Sequence, residues 1–437
     1  MTDQLPRIIY WFCLSSLRSD LIGLDCRGQA VMPALRALSQ ESFCFERAYC
    51  QSAQAVISAA SALTGLWPTR LGVKDCPLEV SGQGLVQAFG LDSGFATLAQ
   101  RLTEEGYETF SLPESLFPGP GDGLGRGFAH LDRLPGRLAE DQRIFVFNHA
   151  PGPQAPFEPS NLALDQLGLK PRADFDQTGR GRLSGPVNEA QAAELKELYL
   201  AAAFDADRRL ARTVEDLKQA GLWDEALVIV LADRGQELLE HGAGLLGGQL
   251  YDETLRVPLL IKFPQLSPLA AFHGQKSASR VRLIDLVPTL AELVQAEPFP
   301  DLDGASLVPV IKGQEAEPLA RPVLAQASTL ASRHGQPVIY ESLAVILGQF
   351  KALTGYRAAD SQQPAEFDYM AGDEIREFFD LEQDPGERTN LYPDHKDDFQ
   401  ALLAEAGPAL APLAGADQEP DEDRERLAER LRSLGYI

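Results

Sequence analysis

The chain is 437 residues long, 44% hydrophobic and 23% charged, and 39 basic against 63 acidic side chains leave a net charge of −24. That balance repels nucleic acid, and no Lys/Arg-rich block is present to displace its counterions. The run Ile8–Leu14 is far short of the roughly 20 apolar residues that cross a bilayer, so neither nucleic acid nor a membrane is an expected partner.

Ile8–Leu14 follows a single basic residue, Arg7, and no small-residue cleavage site comes after it, so it reads as a first strand and not as an export signal. Cys13, Cys26, Cys44, Cys50 and Cys76 are irregularly spaced and odd in number. Buried thiols in a reducing cytoplasm are therefore expected, not a disulfide framework. Met32–Gln40 has helical periodicity, with Pro33 near its start where a missing N–H does no harm. Phe95–Gly106 reads as another helix, ended by its glycine.

Ile144–Phe147 is a short buried strand, followed by a loop carrying Pro151, Pro153, Pro156 and Pro159. Asp165 to Gly185 is polar and Gly/Arg-rich, a surface insertion. Glu189–Ala220 forms a long amphipathic helix ending at Gly221, then come the strands Ala226–Ala232 and Val257–Phe263 and the helix Asp285–Val294 with Pro288 in its first turn. This alternation of buried strands and helices predicts an α/β fold on a mostly parallel sheet. Beyond residue 318, short strands such as Leu343–Leu347 and Phe350–Thr354 predict a small α+β domain with an antiparallel meander. The expected divisions are 6–318, 319–415 and a tail, 416–437, in which acidic Asp417–Asp423 precedes a short helix, Arg424–Leu434.

Ligands of such a sheet gather at the C-terminal ends of its strands. Those ends carry Ser15 and Ser16, then Asn148, His149 and Gln154, then Asp233, Arg234, Gly235 and Gln236, with His241 close behind. Asp233 is the one carboxylate directly after a strand, too few for a hard divalent cation that wants about six oxygen ligands. His149 and His241 are candidate ligands or bases, or plain structural hydrogen-bonders. Arg234 suits either a surface ion pair or a bound anion. The serines suit a helix cap, since no neighbouring base activates them.

The segments PRIIYWFCLSSLRSDLIGLDCRG, MPALRALSQESFCFERAYCQS and SALTGLWPTRLGV, then VIVLADRG, QLYDETLRVPLLIKFP, RLIDLVPTLAEL, DGASLVPVIKG, FFDLEQDPGERTNL and LRSLGYI, run in an order that resembles sulfatases of the alkaline phosphatase superfamily. The resemblance implies a sandwich around a mixed sheet. It also implies a calcium, magnesium or zinc ion held by aspartates after two strands. The nucleophile would be a helix-borne Cys or Ser, converted to formylglycine within a C/S-x-P-x-R signature, that attacks sulfur or phosphorus.

Set against that pattern, the reacting positions are changed. The nucleophile falls on Ala55, the signature proline on Ile57 and its arginine on Ala59, and only Ser58 keeps its type. A slip to Cys50 or Ser52 restores neither the proline nor the arginine. Ser15 stands where a metal-binding aspartate belongs, and Arg234 follows Asp233 where a His or Asn ligand is usual. The loop histidine becomes Gln154, and Gly242–Gln249 contains no lysine. The expectation is an inactive sulfatase-like protein with a binding or regulatory role, with no catalytic residue, metal, cofactor or formylglycine. Its partner would be an anionic small molecule held by Ser15, Ser16, Ser58, Gln154, Asp233, Arg234 and His241, with Arg234 replacing the metal's charge, or another protein. The alternative is an active sulfuric or phosphoric ester hydrolase or transferase that uses Ser58, or a water held by His149 or His241.

Overall fold

A computed structural model describes residues 5–72, 77–80, 84–87, 90–112, 123–131, 138–139, 141–170, 189–241, 249–315, 319–333, 336–356 and 374–406. Its centre is a seven-stranded sheet made of β1 (Ile8–Leu14), β2 (Phe43–Tyr49), β3 (Glu108–Ser111), β4 (Ile144–Ala150), β5 (Ala226–Leu231), β6 (Arg256–Lys262) and β7 (Lys276–Arg282). The strand order is β7-β2-β6-β5-β1-β4-β3. All neighbours are parallel except β6, which runs antiparallel to both β5 and β2. Every residue of β1, β4 and β5 is buried, as strands covered on both faces must be, which is why their sequences are nearly unbroken apolar runs.

Three strands escape that signal. β2 is interrupted by Glu46 and Arg47, β3 is four residues long, and β7 (KSASRVR) is polar because it lies at the sheet edge. β4 runs three residues past the apolar segment, so Asn148 and His149 belong to the strand and not to the loop after it.

The helices are α1 (Pro33–Gln40), α2 (Ala55–Thr64), α3 (Leu98–Glu104), α4 (Asn161–Leu167), α5 (Glu189–Gln219), α6 (Leu286–Leu293) and α7 (Lys396–Glu405). α3 is shorter than its periodicity implies. Thr97 ends the preceding extended chain by accepting from Gln100 N at 3.3 Å, while Gln100 Oε1 accepts from Thr97 N at 3.0 Å. The expected insertion also needs correction, because its first residues lie in α4, capped by Ser160 and closed by Gly168; residues 171–188 are outside the described set. A 3₁₀ turn, Leu283–Asp285, occupies the expected start of α6.

A second sheet, β8 (Val323–Arg333), β9 (Gln336–Leu347), β10 (Phe350–Tyr356) and β11 (Glu374–Asp380), is an antiparallel meander in chain order, longer-stranded than expected. It grips the segment that leads into α2. Gln326 N donates to Gln51 O at 3.0 Å, Ser52 Oγ to Gln326 O at 2.6 Å and Gln54 Nε2 to Ser328 O at 2.9 Å. Asp417–Asp423, Arg424–Leu434 and Cys76 lie outside the described residues. Cys13, Cys44 and Cys50 are buried free thiols, and Cys26 is a partly exposed one.

Candidate functional site

Strand pairing builds the pocket. Cys13 of β1 is the register partner of both His149 in β4 and Leu231 in β5, and Asp233 follows Leu231 by two residues. One ligating atom from each of Cys13, His149 and Asp233 therefore falls within 4.8 Å of the other two, and all three residues are buried. Asp233 Oδ2 accepts from Ser15 Oγ at 3.0 Å and lies 2.8 Å from His149 Nε2, while Oδ1 accepts from Ser16 N at 3.1 Å. Burial opposes the charge of Asp233, yet the His149 contact, the nearby Arg234 and the Ser16 N–H hold its carboxyl below the usual range. Burial together with that carboxylate raises the Cys13 thiol well above its ordinary value, so it is no ready nucleophile.

The turn after β1 is held on two sides. Ser16 adopts a positive φ of 63°, which a non-glycine residue keeps only when its surroundings enforce it. Tyr199 of α5 supplies that enforcement, its hydroxyl donating to Ser16 O at 3.0 Å and accepting from Arg18 N at 3.0 Å. From the other side the proline-rich loop presses so close that a Cβ on Gly152 would stand 1.8 Å from Ser15 O. The same loop brings Gln154 Oε1 to 3.5 Å from Ser15 Oγ.

Ala55 is the first residue of α2, so the position to which the resemblance assigns the nucleophile carries a methyl group at a helix N-terminus. Ser58 and Ala59 are buried within the helix. The Ser58 hydroxyl is buried without a conventional hydrogen-bond partner and acts on the neighbouring Cys50 thiol.

Ser15, Ser16, Gln154 and Asp233 are thus brought together. Arg234 is half-buried beside them. Among the described residues no ion pair joins it to Asp233; its Nη1 donates to Gly235 O at 3.3 Å, and its charge acts on Asp233 and Cys50 from a distance. The group in contact with Asp233 is His149, which was only one of several strand-end candidates in the sequence. Its role depends on the β1–β4 register, which local pattern does not reveal. His241 is not part of this cluster. It stacks on Tyr251 at 3.6 Å and faces Glu253. Asn148 Nδ2 donates to Tyr10 Oη at 2.9 Å, a core contact.

A hard divalent cation such as Ca²⁺ or Mg²⁺ does not fit these residues, and the set that could hold a softer one is Cys13, His149 and Asp233. Ser15 and Ser16 supply no charge, and both Asp233 oxygens already accept bonds from this chain's own donors.

A mostly parallel sheet, strand-end residues around one buried aspartate and a helix opening beside them define an alkaline-phosphatase-like α/β protein. The Sulfatase family model matches residues 139–296, so this part of the chain is similar to sulfatases. Arylsulfatase K of Xenopus laevis is 24% identical over 50% of this chain and 37% of its own length. The choline-sulfatase of Rhizobium meliloti is 29% identical over 47% of this chain and 34% of its own length. The match thus spans little more than a third of these curated relatives. The phosphonate monoester hydrolase of Agrobacterium radiobacter shares the fold, with a TM-score of 0.66 at 17% identity over 94% of this chain and 95% of that one.

Proposed function

We propose that this chain is a sulfatase-like protein that has lost ester hydrolysis and uses the inherited pocket to hold an anion. The observation that carries this reading is Ala55 at the opening of α2, where the attacking group would stand. Three further losses accompany it: Ser15 in place of a carboxylate, Gln154 in place of histidine, and no lysine in Gly242–Gln249. Groups of this kind act as a unit, and loss of the nucleophile alone removes most of the rate.

Anion binding draws on what is left. α2 has no side-chain cap, since the Gln54 amide is spent on Ser328, and the N–H groups of its first turn have no intrahelical acceptor. Arg234 adds a half-buried positive charge whose field reaches Asp233 and Cys50. The four described free thiols suit a reducing compartment such as the cytoplasm. No described helix is long and apolar enough to cross a membrane.

The test combines turnover and binding. With aryl sulfate and aryl phosphate, and Mg²⁺, Ca²⁺ or Mn²⁺ added, the expected rate is background. Calorimetric titration with sulfate is expected to show saturable binding, weakened at least about fivefold in Arg234→Ala, as loss of a charge-assisted contact of about 1 kcal/mol implies. Turnover that disappears in Asp233→Ala would instead establish a working hydrolase with an unusual site.

A further inference from the structure

A second constellation lies outside the pocket. His241 comes from the segment after β5, Glu253 from the short helix Asp252–Leu255 and Glu387 from the turn after β11. A ring nitrogen of His241 and one oxygen from each carboxylate all lie within 4.8 Å of one another. The His241 ring is oriented by Tyr251, which it faces at 3.6 Å with an interplanar angle of 11°. A Cβ on Gly235 would stand 2.0 Å from Glu253 O, so the chain after β5 also packs its backbone directly on the Glu253 segment.

His241 Nε2 approaches Glu253 Oε1 to 3.4 Å without hydrogen-bond geometry, and Nε2 and Glu253 Oε2 are both buried with no hydrogen-bond partner. These side chains are 8% and 12% exposed. Buried polar atoms are paired in about nine cases of ten, so two orphans directed at one small volume mark a missing partner. Charge identifies its sign. Asp252 and Glu387 share one ammonium, Lys351, which lies 3.0 Å from Asp252 Oδ1 and 2.7 Å from Glu387 Oε1, while Glu253 faces His241. Arg18, whose charge reaches Glu253, is already neutralised by Asp20 and Glu240. His241, Glu253 and Glu387 offer electron-pair donors to that volume, the complement of a cation. Glu387 Oε2 accepts from Asp252 N at 2.7 Å and Oε1 lies 2.7 Å from Lys351 Nζ, which fixes the orientation of this carboxylate.

We propose that His241, Glu253 and Glu387 form a divalent-cation site that ties the turn after β11 to the central sheet. One imidazole and two carboxylates form a borderline nitrogen–oxygen set, which suits Zn²⁺ better than Ca²⁺ or Mg²⁺. The three ligands come from segments far apart in sequence, so the ion acts as a clasp between the two sheets, with no part in ester chemistry.

The experiment uses the full chain, stripped with EDTA and equilibrated with Zn²⁺, Mg²⁺ or Ca²⁺, with bound metal counted by mass spectrometry and melting followed in parallel. The expected result is stoichiometric zinc, a melting temperature that falls on chelation and recovers with Zn²⁺ alone, and zinc affinity at least about tenfold weaker in Glu253→Gln and in His241→Ala. Asp233→Asn is expected to bind zinc like the unaltered protein, which separates this site from the pocket around Asp233. Three results would overturn the proposal: no zinc retained by the unaltered chain, zinc lost in Asp233→Asn but kept in Glu253→Gln, or preference for Ca²⁺ or Mg²⁺. Should a variant not fold, chelation and add-back on the unaltered chain decide between these outcomes.

Discussion

Asp233 and His149 touch at 2.8 Å with side chains 1% exposed each, so each helps to compensate the other's burial. Removing one partner of a buried pair leaves an uncompensated charge, at a cost of about 3–5 kcal/mol. His149→Ala is therefore expected to lower the unfolding free energy, measured by urea titration, by that amount. Ser15→Ala removes one neutral donor, and about 1 kcal/mol is expected. Equal losses in the two variants would mean that His149 only fills space. Asp233 and Ser15 were legible from the ordered motifs in which they sit. The partnership with His149 was not, because 84 residues separate it from Asp233 and only strand register brings the two together.

The join between α1 and α5 shows how a polar group can hold two elements together. Asp207, in the middle of α5, accepts from Ala34 N at 2.7 Å and Leu35 N at 2.8 Å in the first turn of α1, whose own N-cap residue, Met32, cannot cap. Burial pushes the Asp207 carboxyl up to about 6, against the opposing pull of those two N–H groups. An unfolded aspartate titrates near about 3.9, so the folded state binds the extra proton between these values and stability falls as pH rises through them. Above that window the ionised form weakens the fold by roughly 3 kcal/mol relative to the neutral one. Asp207→Asn cannot ionise, keeps one of the two acceptors and turns its NH₂ toward the other N–H. Urea unfolding at several pH values is expected to show the slope between about pH 4 and 6 flattened. A slope that survives the substitution would place its origin in another group. The helical pattern of α5 was plain along the chain, but that one of its polar positions turns inward to cap α1 was not.

Across the whole molecule the two sheets meet around Lys351 of β10, a fully buried ammonium between Asp252 and Glu387. Lys351→Met is expected to cost about 3–5 kcal/mol in metal-free protein, because it leaves two carboxylates facing one another. Adding Glu387→Gln should return part of the loss. Denaturant unfolding of the single and double variants measures both, and no recovery would mean the pair contributes nothing to the junction.

The succession of strands and helices, the mostly parallel character of the central sheet, the later antiparallel meander and the alanine at the opening of α2 can all be read along the chain, since burial periodicity and side-chain type are local properties. The polar edge strands, the reversed direction of β6, the company kept by Asp233 and the convergence of His241, Glu253 and Glu387 come into being on folding. Each depends on which distant segments become neighbours, and that is settled by hydrogen-bond register and packing between parts of the chain whose own composition carries no record of it.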